Sequence, residues 1–562
     1  MVEGTRRGYN DRGSRISPLL VYPPCRFSAL PRHPPFGLMS LAAVLREHGI
    51  QSEILDLNAL RPPLAEVKTR IAESGANVFC IGGMATVYYY IKCLTLYLKE
   101  RYPKTPIVCG GSLATSLPEH TLRNTGSDVC VLGEGEPVIL DVLRAVVSGE
   151  GLDRIPGIAY LDPSGRVVFT PPRPRLTDLD SLPYPAYDMV DMDLYFRNEL
   201  RVKFPTFGSR GKELVEKGVD PDWLARPVTI FTKRGCPYQC TFCYRNFGRQ
   251  LVSFSVDYVI SHMRFLEERF RTKHFVIADE TFNANRHWVR EFCRELARRN
   301  ANYLINTANS NRAANLDEEL VWLMHQAGFS EIGVGIESFH DPSLRYMKKG
   351  QTAQQTKDAI AITKRYDSYR FAMMLFGFPT DSKEAMDLNV KTLSSLGIFS
   401  CNFNIPCPYP GTELFDYAVE KGIIDDVEEF LLRLADKDVG ELIVNVSNMS
   451  DKELLALIRY GYDALLLEKL RNSRLGPLHP ILKHVHGFIW NLFRVSLLQC
   501  SRAAYSRLRR LGRADSPSRT SFKRACELRK EVFSELSRLS GGSKPSRGAA
   551  GHRDPFGRDG AE

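Results

Sequence analysis

Short apolar runs alternate with amphipathic stretches along most of the chain, first between residues 17 and 150 and again from residue 227. In the first block the apolar runs are rich in Ile, Val, Leu and Cys, which favours buried strands. The expected strands are 17–22, 51–57, 77–83, 106–111 and 128–133. The stretches between them predict helices over 36–48, 62–74, 88–102 and 136–148. Such a repeat predicts an α/β fold with a doubly wound, Rossmann-like parallel sheet, whose ligands bind beyond the carboxyl ends of the strands.

The second block repeats the strand and helix pattern six times. Its expected strands are 227–233, 274–279, 303–308, 331–337, 371–378 and 399–405. Successive β-α units in this number predict a partial (β/α)6 TIM barrel, whose active face lies at the carboxyl ends of its strands.

Prolines are dense between the two blocks, as at 171–174 and 182–185. Because proline opposes regular elements, residues 151–225 are expected to form an extended linker. After the second block the apolar periodicity indicates mainly helices. The predicted organisation is a disordered N-terminus (1–15), a first α/β domain (16–150), the linker (151–225), the barrel (226–430), a helical C-terminal region (431–540) and a disordered tail (541–562).

Composition and charge narrow the function classes. The chain of 562 residues is 43% hydrophobic and 25% charged, as in soluble globular proteins. Its net charge of +10 is concentrated at the C-terminus, where residues 501–562 hold 15 Lys/Arg and 7 Asp/Glu. The body is close to neutral, so no nucleic-acid partner is expected. The apolar run at 487–498 is shorter than the roughly 20 residues that cross a bilayer, so we expect a packed helix rather than a peripheral membrane contact.

The thirteen cysteines are scattered, and several lie inside apolar runs. This pattern is typical of free thiols in a reducing compartment rather than of a disulfide framework. The N-terminus has no apolar core long enough for a signal peptide. A cytoplasmic location is therefore expected.

Three cysteines, Cys236, Cys240 and Cys243, are set four and then three residues apart, directly after the first barrel strand. Three thiolates can hold three irons of a 4Fe-4S cluster, which leaves the fourth iron free to bind a substrate or cofactor. Structural zinc instead needs four ligands, usually from two paired motifs. No second Cys-x-x-Cys pair and no His-x-x-x-His pair occurs in the sequence. The spacing therefore favours a cluster on the active face of the barrel.

The run Arg-Gly-Cys-Pro-Tyr-Gln-Cys-Thr-Phe-Cys-Tyr-Arg resembles the signature of the radical S-adenosylmethionine (SAM) enzymes. In that family the cluster passes an electron to SAM, which yields methionine and a 5'-deoxyadenosyl radical that abstracts hydrogen from carbon. The resemblance implies that Cys236, Cys240 and Cys243 are the metal ligands and that Phe242 lies beside the adenine. It also implies an external electron donor of the flavodoxin or ferredoxin type.

Acidic residues follow two of the barrel strands. By resemblance to the family, Asp279 or Glu280 after the second strand would bind the SAM ammonium group, where a charge-assisted hydrogen bond is strong. Glu337 after the fourth strand resembles a motif near the ribose or methionine end of SAM; its alternative is an acidic residue at the start of a helix, which the helix dipole favours. Cys407 after the last strand could face the substrate, although free cysteine is commonly a small buried hydrophobe. No residue is assigned as catalytic.

Small residues follow three strands of the first block. Glycine lets a ligand approach the backbone, and hydroxyl groups offer hydrogen bonds, although the same residues also suit tight turns alone. The candidates are Thr86 after the third strand, Gly110, Gly111 and Ser112 after the fourth, and Gly133, Glu134 and Gly135 after the fifth. A nicotinamide fingerprint, Gly-x-Gly-x-x-Gly, is absent after the first strand.

The first block resembles the cobalamin-binding domain that precedes the barrel in many radical SAM enzymes. This resemblance implies that the glycine-rich turns bind cobalamin. The Asp-x-His-x-x-Gly motif that offers a histidine to cobalt in other cobalamin proteins is missing, and His33 lacks that context, so we expect it to be a loop histidine.

Residues 17–430 thus resemble the cobalamin-binding radical SAM enzymes. The resemblance implies a methyltransferase that acts on an unactivated carbon of a small-molecule substrate, with one SAM methylating cobalamin and a second giving the radical. Two alternatives stay open: a radical cyclase or rearrangement enzyme, as in the anaerobic porphyrin-ester cyclases, and a non-catalytic iron–sulfur or zinc-binding protein.

Overall fold

The computed structural model describes residues 15–25, 33–199, 208–307, 311–369, 371–435 and 441–472, together with residue 534. Two parallel β arrangements follow each other along the chain. The strands are β1 (Pro18–Tyr22), β2 (Glu53–Asp56), β3 (Val78–Gly82), β4 (Ile107–Gly110), β5 (Val129–Val131), β6 (Ile158–Leu161), β7 (Val167–Phe169), β8 (Val228–Ile230), β9 (Lys233–Arg234), β10 (Val252–Ser253), β11 (His274–Ile277), β12 (Leu304–Asn306), β13 (Phe329–Glu331), β14 (Ala372–Leu375) and β15 (Cys401–Asn404).

Helices lie between most of the strands. They are α1 (Phe36–Glu47), α2 (Leu57–Leu60), α3 (Leu64–Glu73), α4 (Tyr88–Arg101), α5 (Gly111–Ser116), α6 (Pro118–Asn124), α7 (Ile139–Ser148), α8 (Met192–Glu199), α9 (Gly208–Glu216), α10 (Pro221–Leu224), α11 (Val256–Phe270), α12 (Arg286–Arg298), α13 (Glu318–Gln326), α14 (Asp341–Tyr346), α15 (Ala353–Arg365), α16 (Lys383–Ser395), α17 (Glu413–Glu420), α18 (Val427–Leu434) and α19 (Asp451–Arg471).

The first sheet has the strand order β2-β1-β3-β4-β5-β6-β7. Its first five strands are parallel, which confirms the predicted doubly wound fold. The chain reverses its winding direction between β1 and β3, and ligands of such sheets bind beyond the carboxyl ends near this point. The predicted glycine-rich turns all lie at that edge.

The prediction of an extended linker over 151–225 is wrong for residues 158–169. These residues form β6 and β7, which continue the first sheet in antiparallel pairing with β5. Ile158 and Ala159 are fully buried, so burial against the sheet stabilises this hairpin. The proline cluster at 171–174 begins only after β7 has ended. Three helices, α8, α9 and α10, also lie within the predicted linker.

The second arrangement is an open arc of six parallel strands, as predicted. β8, β11, β12 and β13 form one sheet, and β14 pairs with β15. A parallel bridge between Glu337 and Met374 joins the two parts. The fourth strand differs from the expected 331–337: it spans β13, and isolated bridges replace its remainder. Glu337 has φ +63°, which lies outside the extended region and prevents a continuous strand there.

The two domains share their hydrophobic cores. One core joins Leu20 and Val142 of the first domain to Val228 and Phe275 of the barrel. The second covers the opposite face of the first sheet and includes Phe378 and helices α17 and α18. The carboxyl edges of both sheets are therefore held in a fixed relation.

The predicted helical C-terminal region begins with α18 and α19, and α19 packs on α16 and β15. Residues 473–533 and 535–562, including the apolar run at 487–498 and the predicted disordered tail, lie outside the described residues, as does the predicted disordered N-terminus except Arg15. Among the helices that the structure describes, none is long and apolar enough to span a bilayer.

Candidate functional site

The three cysteines of the motif lie in a loop that projects from the carboxyl end of β8. Antiparallel pairing of β9 with β10 closes the base of this loop. Gly235, directly before Cys236, has φ +88°, and a side chain there would collide with the carbonyl oxygen of Gln250. The Cys236 N–H donates to the carbonyl of Gly248 at 3.0 Å. We call residues 235–251 the cysteine loop. The close packing at Gly235 and the hydrogen bond of Cys236 fix the backbone at the start of this loop.

Hydrogen bonds fix the cysteine loop to the barrel on two sides. The Thr241 N–H donates to the carbonyl of Met347 at 2.9 Å, and the Leu414 N–H donates to the carbonyl of Thr241 at 2.9 Å. On the other side, the Asn315 amide donates to the Tyr238 hydroxyl at 2.5 Å. These contacts attach the motif to the barrel.

Two of the three motif cysteines are half-buried and Cys243 is exposed. Burial raises the pKa of Cys236, and the charges of Glu280 and Cys240 raise it further. In the described part of the chain, no three His, Cys, Asp or Glu side chains converge on a point that could hold one metal ion. A 4Fe-4S cluster does not require such convergence, because each thiolate binds a different iron.

Lys349 lies beside the cysteines and was not found from the sequence. Its ammonium group pairs with Glu337 at 2.8 Å. Burial lowers the pKa of Lys349, but the negative charges of Glu337, Cys240 and Cys243 outweigh burial and raise it. A buried cation at this position offsets the negative charge of thiolates.

The two acidic candidates after β11 have different roles. Both Asp279 oxygens accept hydrogen bonds from Thr232, which lies two residues after β8, so Asp279 links the segments that follow β8 and β11. Glu280 instead points at the cysteine loop, where its Oε1 accepts from the N–H groups of Asn246 at 2.5 Å and Phe247 at 3.4 Å. Its Oε2 is buried without a hydrogen-bond partner. Of the pair, Glu280 therefore fits the SAM ammonium group.

Glu337 and Phe242 complete the predicted SAM-binding set. Glu337 precedes α14, which begins at Asp341, by four residues, so it does not occupy the helix terminus. The Phe242 ring packs against Phe378 with ring centroids 6.0 Å apart, and Phe378 lies 5.9 Å from Tyr346. These rings form an apolar wall beside the cysteine loop.

The glycine-rich turns of the first sheet separate into packing positions and open positions. Gly111 has φ +83°, and a Cβ there would lie 2.8 Å from the carbonyl oxygen of Gly83, so close packing requires this glycine. Gly135 packs against Leu41 of α1. At Gly110 and Gly133 a Cβ would meet no atom within 4 Å. The space at these two positions fits the approach of a flat, bulky cofactor such as cobalamin.

The remaining candidates of the first domain lie in the same turns. Thr86 stands in a short helical turn after β3, and Ser112 is half-buried at the start of α5. The Thr115 hydroxyl accepts from the Gly133 N–H at 2.9 Å, which joins the turns after β4 and β5. Thr86, Ser112 and the open glycines therefore share one edge.

Glu134 has a different environment from the one predicted. Its carboxylate pairs with Arg234 at 3.0 Å and with Arg175 at 3.4 Å, and it accepts from the Leu176 N–H at 3.1 Å. Protein groups thus engage both of its oxygens. Sequence reasoning assigned it to a cofactor, whereas these contacts assign it to the joint between the domains.

Arg234, two residues before Cys236, is the centre of that joint. Its guanidinium also pairs with Glu136 at 2.7 Å, and Glu136 accepts from the Ser40 hydroxyl at 2.8 Å. Burial alone would raise the pKa of Glu136, but Arg234 outweighs burial and lowers it. The joint fixes the turn after β5 to the cysteine loop.

A second contact brings the same regions together. At Gly411, in the turn after β15, a Cβ would lie 2.6 Å from the Ser116 hydroxyl oxygen and 2.8 Å from the Tyr244 ring. Ser116 belongs to the first domain and Tyr244 to the cysteine loop. The carboxyl edges of the two sheets therefore face one shared region.

His33, which the sequence analysis expects to be a loop histidine, and Cys407, which it places after the last barrel strand, have different surroundings. The His33 ring lies 3.2 Å from the Thr229 hydroxyl of β8. Cys407 is buried in the apolar core that covers the first sheet.

Two family models match the chain. Residues 26–143 match the B12 binding domain, and residues 230–392 match the radical SAM superfamily. The chain is 27% identical to an uncharacterised methyltransferase of Pyrococcus horikoshii over 84% of this chain and 95% of the relative. It is 26% identical to the anaerobic magnesium-protoporphyrin IX monomethyl ester cyclase of Rubrivivax gelatinosus over 74% and 72%.

Among solved structures, the fold is similar to that of the radical SAM methyltransferase TsrM from Kitasatospora setae, solved with cobalamin and a 4Fe-4S cluster. The TM-score is 0.59 at 19% identity, with coverage of 72% of this chain and 78% of that one.

The fold and the site define a radical SAM enzyme. More narrowly, the chain belongs to the cobalamin-binding radical SAM family. The radical SAM match implies a 4Fe-4S cluster and SAM as cofactors, and the B12 binding domain implies cobalamin.

Proposed function

We propose that this enzyme is a cobalamin-dependent methyltransferase that acts on an unactivated carbon of a small molecule. The observation that carries the proposal is the joint of Arg234 with Glu134 and Glu136, which holds the glycine-rich edge of the first sheet beside the cysteine loop. Cofactors bound at the two edges would share one cavity, and methyl transfer to a carbon radical needs this arrangement.

The positions of the cysteines and of Lys349 determine the proposed ligands of the cluster. Cys236, Cys240 and Cys243 would hold the cluster, and Lys349 would offset its charge. When bound, the cluster and SAM supply a radical that abstracts hydrogen, and cobalamin supplies a methyl group.

The chain's own residues orient SAM. The buried, unpartnered Oε2 of Glu280 would accept from the SAM ammonium group. The ring of Phe242 would pack against the adenine, and Glu337 would lie near the ribose or methionine end. Gly110 and Gly133, with Thr86 and Ser112, would line the cobalamin side, and Gly111 would set the turn that carries Gly110 and Ser112.

A radical cyclase is the second candidate, because a curated cyclase shares 26% identity over 74% of this chain. The two functions differ in the fate of the SAM methyl group. In a methyltransferase the methyl group enters the product, whereas in a cyclase it does not.

A labelling experiment separates them. The anaerobic, cluster-loaded and cobalamin-loaded protein is incubated with SAM carrying a trideuterated methyl group and with a small-molecule extract of the source cells. We expect a metabolite heavier by the label with the wild-type protein and none with Cys240→Ala. Consumption of a metabolite without any label in a product would support the cyclase and contradict methyl transfer.

The supply of electrons and the cellular location belong to the same proposal. An external donor of the flavodoxin or ferredoxin class would reduce the cluster, and we propose a cytoplasmic location on the basis of the free cysteines. The domain limits that we propose are those of the sequence analysis, with the first domain extended to residue 169 by β6 and β7.

A further inference from the structure

An open groove of about 700 Å³ adjoins the cysteine loop. One wall consists of Pro237, Tyr238 and Gln239, the three residues between the first two motif cysteines. The opposite wall is formed by α14, the turn that follows it and the start of α15. The groove therefore begins directly at the polypeptide that would hold the cluster.

The cysteine loop has two different faces. Phe242 packs toward Phe378 and the core of the first domain, and Tyr244 lies against Gly411. That face turns toward the proposed SAM and cobalamin cavity. Pro237 and Gln239 are exposed and line the groove instead. A macromolecule could reach the loop from the groove without entering the substrate cavity.

Positive charge predominates along the groove. Arg312, Arg345 and Lys348 line it, against one carboxylate, Asp341. Asp341 accepts from the Ala353 N–H at 2.8 Å, so its charge is directed at the start of α15. Because the body of the chain is close to neutral, this cluster of cations is a local feature.

The basic residues are fixed close to the cysteines. The Arg312 guanidinium carbon lies 3.8 Å from the centre of the Tyr238 ring. Arg345 and Lys348 flank Met347, whose carbonyl accepts from the Thr241 N–H inside the motif. Arg345 and Lys348 are exposed, and the ion pair of Lys348 with Glu413 at 2.6 Å is half-exposed and weakened by solvent.

We infer that this groove is the docking surface for an acidic one-electron carrier protein of the flavodoxin or ferredoxin class. The inference rests on the proposed function, since only a redox cluster needs such a partner. The carrier loses one electron and the cluster gains one, and no bond is formed or broken. Transient redox complexes bury less than about 1,200 Å², so a small surface suffices. Complementary charge at the rim mainly raises the association rate.

The test compares two double variants with the same change of charge. Arg345→Glu with Lys348→Glu reverses the groove. Arg264→Glu with Lys391→Glu is the control, because these exposed residues lie on α11 and α16, on other surfaces of the barrel. Iron content and melting temperature verify that both variants fold and carry the cluster.

Binding is measured first and needs no turnover. A purified bacterial flavodoxin, and in parallel a ferredoxin, is titrated onto the cluster-loaded protein at low and high salt. Because rim charges act on association, the groove variant should bind the carrier about tenfold more weakly at low salt, with a smaller salt dependence. The control variant should bind as the wild type does.

Turnover then separates the docking surface from the chemistry. With reduced flavodoxin, 5'-deoxyadenosine formation should slow in the groove variant. With dithionite, a small reductant that needs no docking, all three proteins should react equally. Unchanged carrier binding by the groove variant, equal losses in both variants, or no binding of either carrier by the wild type would overturn the inference. Failure of dithionite in all proteins would instead contradict the proposed function, while the binding titration would still decide the docking surface.

Discussion

Replacement of Arg234 by Met should release the joint between the two domains. Arg234 donates to Glu134 at 3.0 Å and to Glu136 at 2.7 Å, and the three side chains are only 11%, 5% and 8% exposed. Removing the cation leaves two buried carboxylates without their main partner. The loss of one partner of a buried ion pair costs about 3–5 kcal/mol.

The cost should depend on pH in a defined direction. With Arg234 present, the pKa of Glu136 is lowered although burial opposes this. A carboxyl group whose pKa is lowered by folding stabilises the folded state at pH values above its unfolded-state pKa of about 4.3. This stabilisation is lost as the pH falls through the pKa of the folded state. Without Arg234, burial raises the pKa of Glu136, so protonation at acidic pH relieves the variant. The difference between variant and wild type should therefore be largest near neutral pH and shrink toward pH 4.

The assay is urea unfolding followed by fluorescence at several pH values. Arg46→Met is the matched control, because Arg46 pairs with Asp188 at 2.7 Å while both side chains are about half exposed. An exposed pair of this kind contributes only about 0–1 kcal/mol. Equal losses in Arg234→Met and Arg46→Met, or a difference that stays constant down to pH 4, would refute the assignment of the joint.

Three further perturbations test other parts of the account. Glu280→Gln should weaken SAM binding in equilibrium dialysis about tenfold or more, because a hydrogen bond to a charged group contributes roughly 1.5–3 kcal/mol; unchanged affinity would exclude Glu280 from the SAM site. Gly111→Ala should lower both the melting temperature and corrinoid retention, because φ is +83° and a Cβ would lie 2.8 Å from a carbonyl oxygen. Gly75→Ala is the control: φ is +59° and nothing lies within 4 Å of the added Cβ, so it should lower the melting temperature without affecting corrinoid retention. For Glu428, burial opposes ionisation, but hydrogen bonds from first-domain side chains lower its pKa to about 2. Glu428→Gln should therefore destabilise the protein above about pH 4.3, and thermal melts should show the difference shrinking as the pH falls toward the folded value.

Much of the fold follows from local sequence signals. The apolar runs place β1, β3 and β4 within one residue of their observed limits, because buried parallel strands need continuous apolar side chains. The spacing of Cys236, Cys240 and Cys243 is equally local, and the carboxyl ends of parallel strands determine where their loop lies. These signals are sufficient to predict the protein family and the position of the site in the fold.

The remaining features depend on contacts between distant residues. Arg175 and Glu136 acquire their roles only when the first domain packs against the linker and the barrel, and Lys349 acquires its role only when the barrel folds around the cysteine loop. The spacing of these residues along the chain does not predict such pairs. The hairpin of β6 and β7 is stable because β5 pairs with it, which overrides the nearby prolines. β13 ends at Glu331, and at Glu337, where the prediction continues the strand, φ is +63°, a conformation that the residue type does not favour.

The most direct test of the central claim is 5'-deoxyadenosine formation by anaerobically purified, cluster-loaded protein given SAM and dithionite, with bound corrinoid followed by absorbance. The account predicts deoxyadenosine with the wild type, none with Cys240→Ala and an unchanged yield with Cys293→Ala, which replaces a buried cysteine of α12. It also predicts that the wild-type protein retains corrinoid through desalting. A wild-type protein with a full cluster that forms no deoxyadenosine and retains no corrinoid would contradict the account.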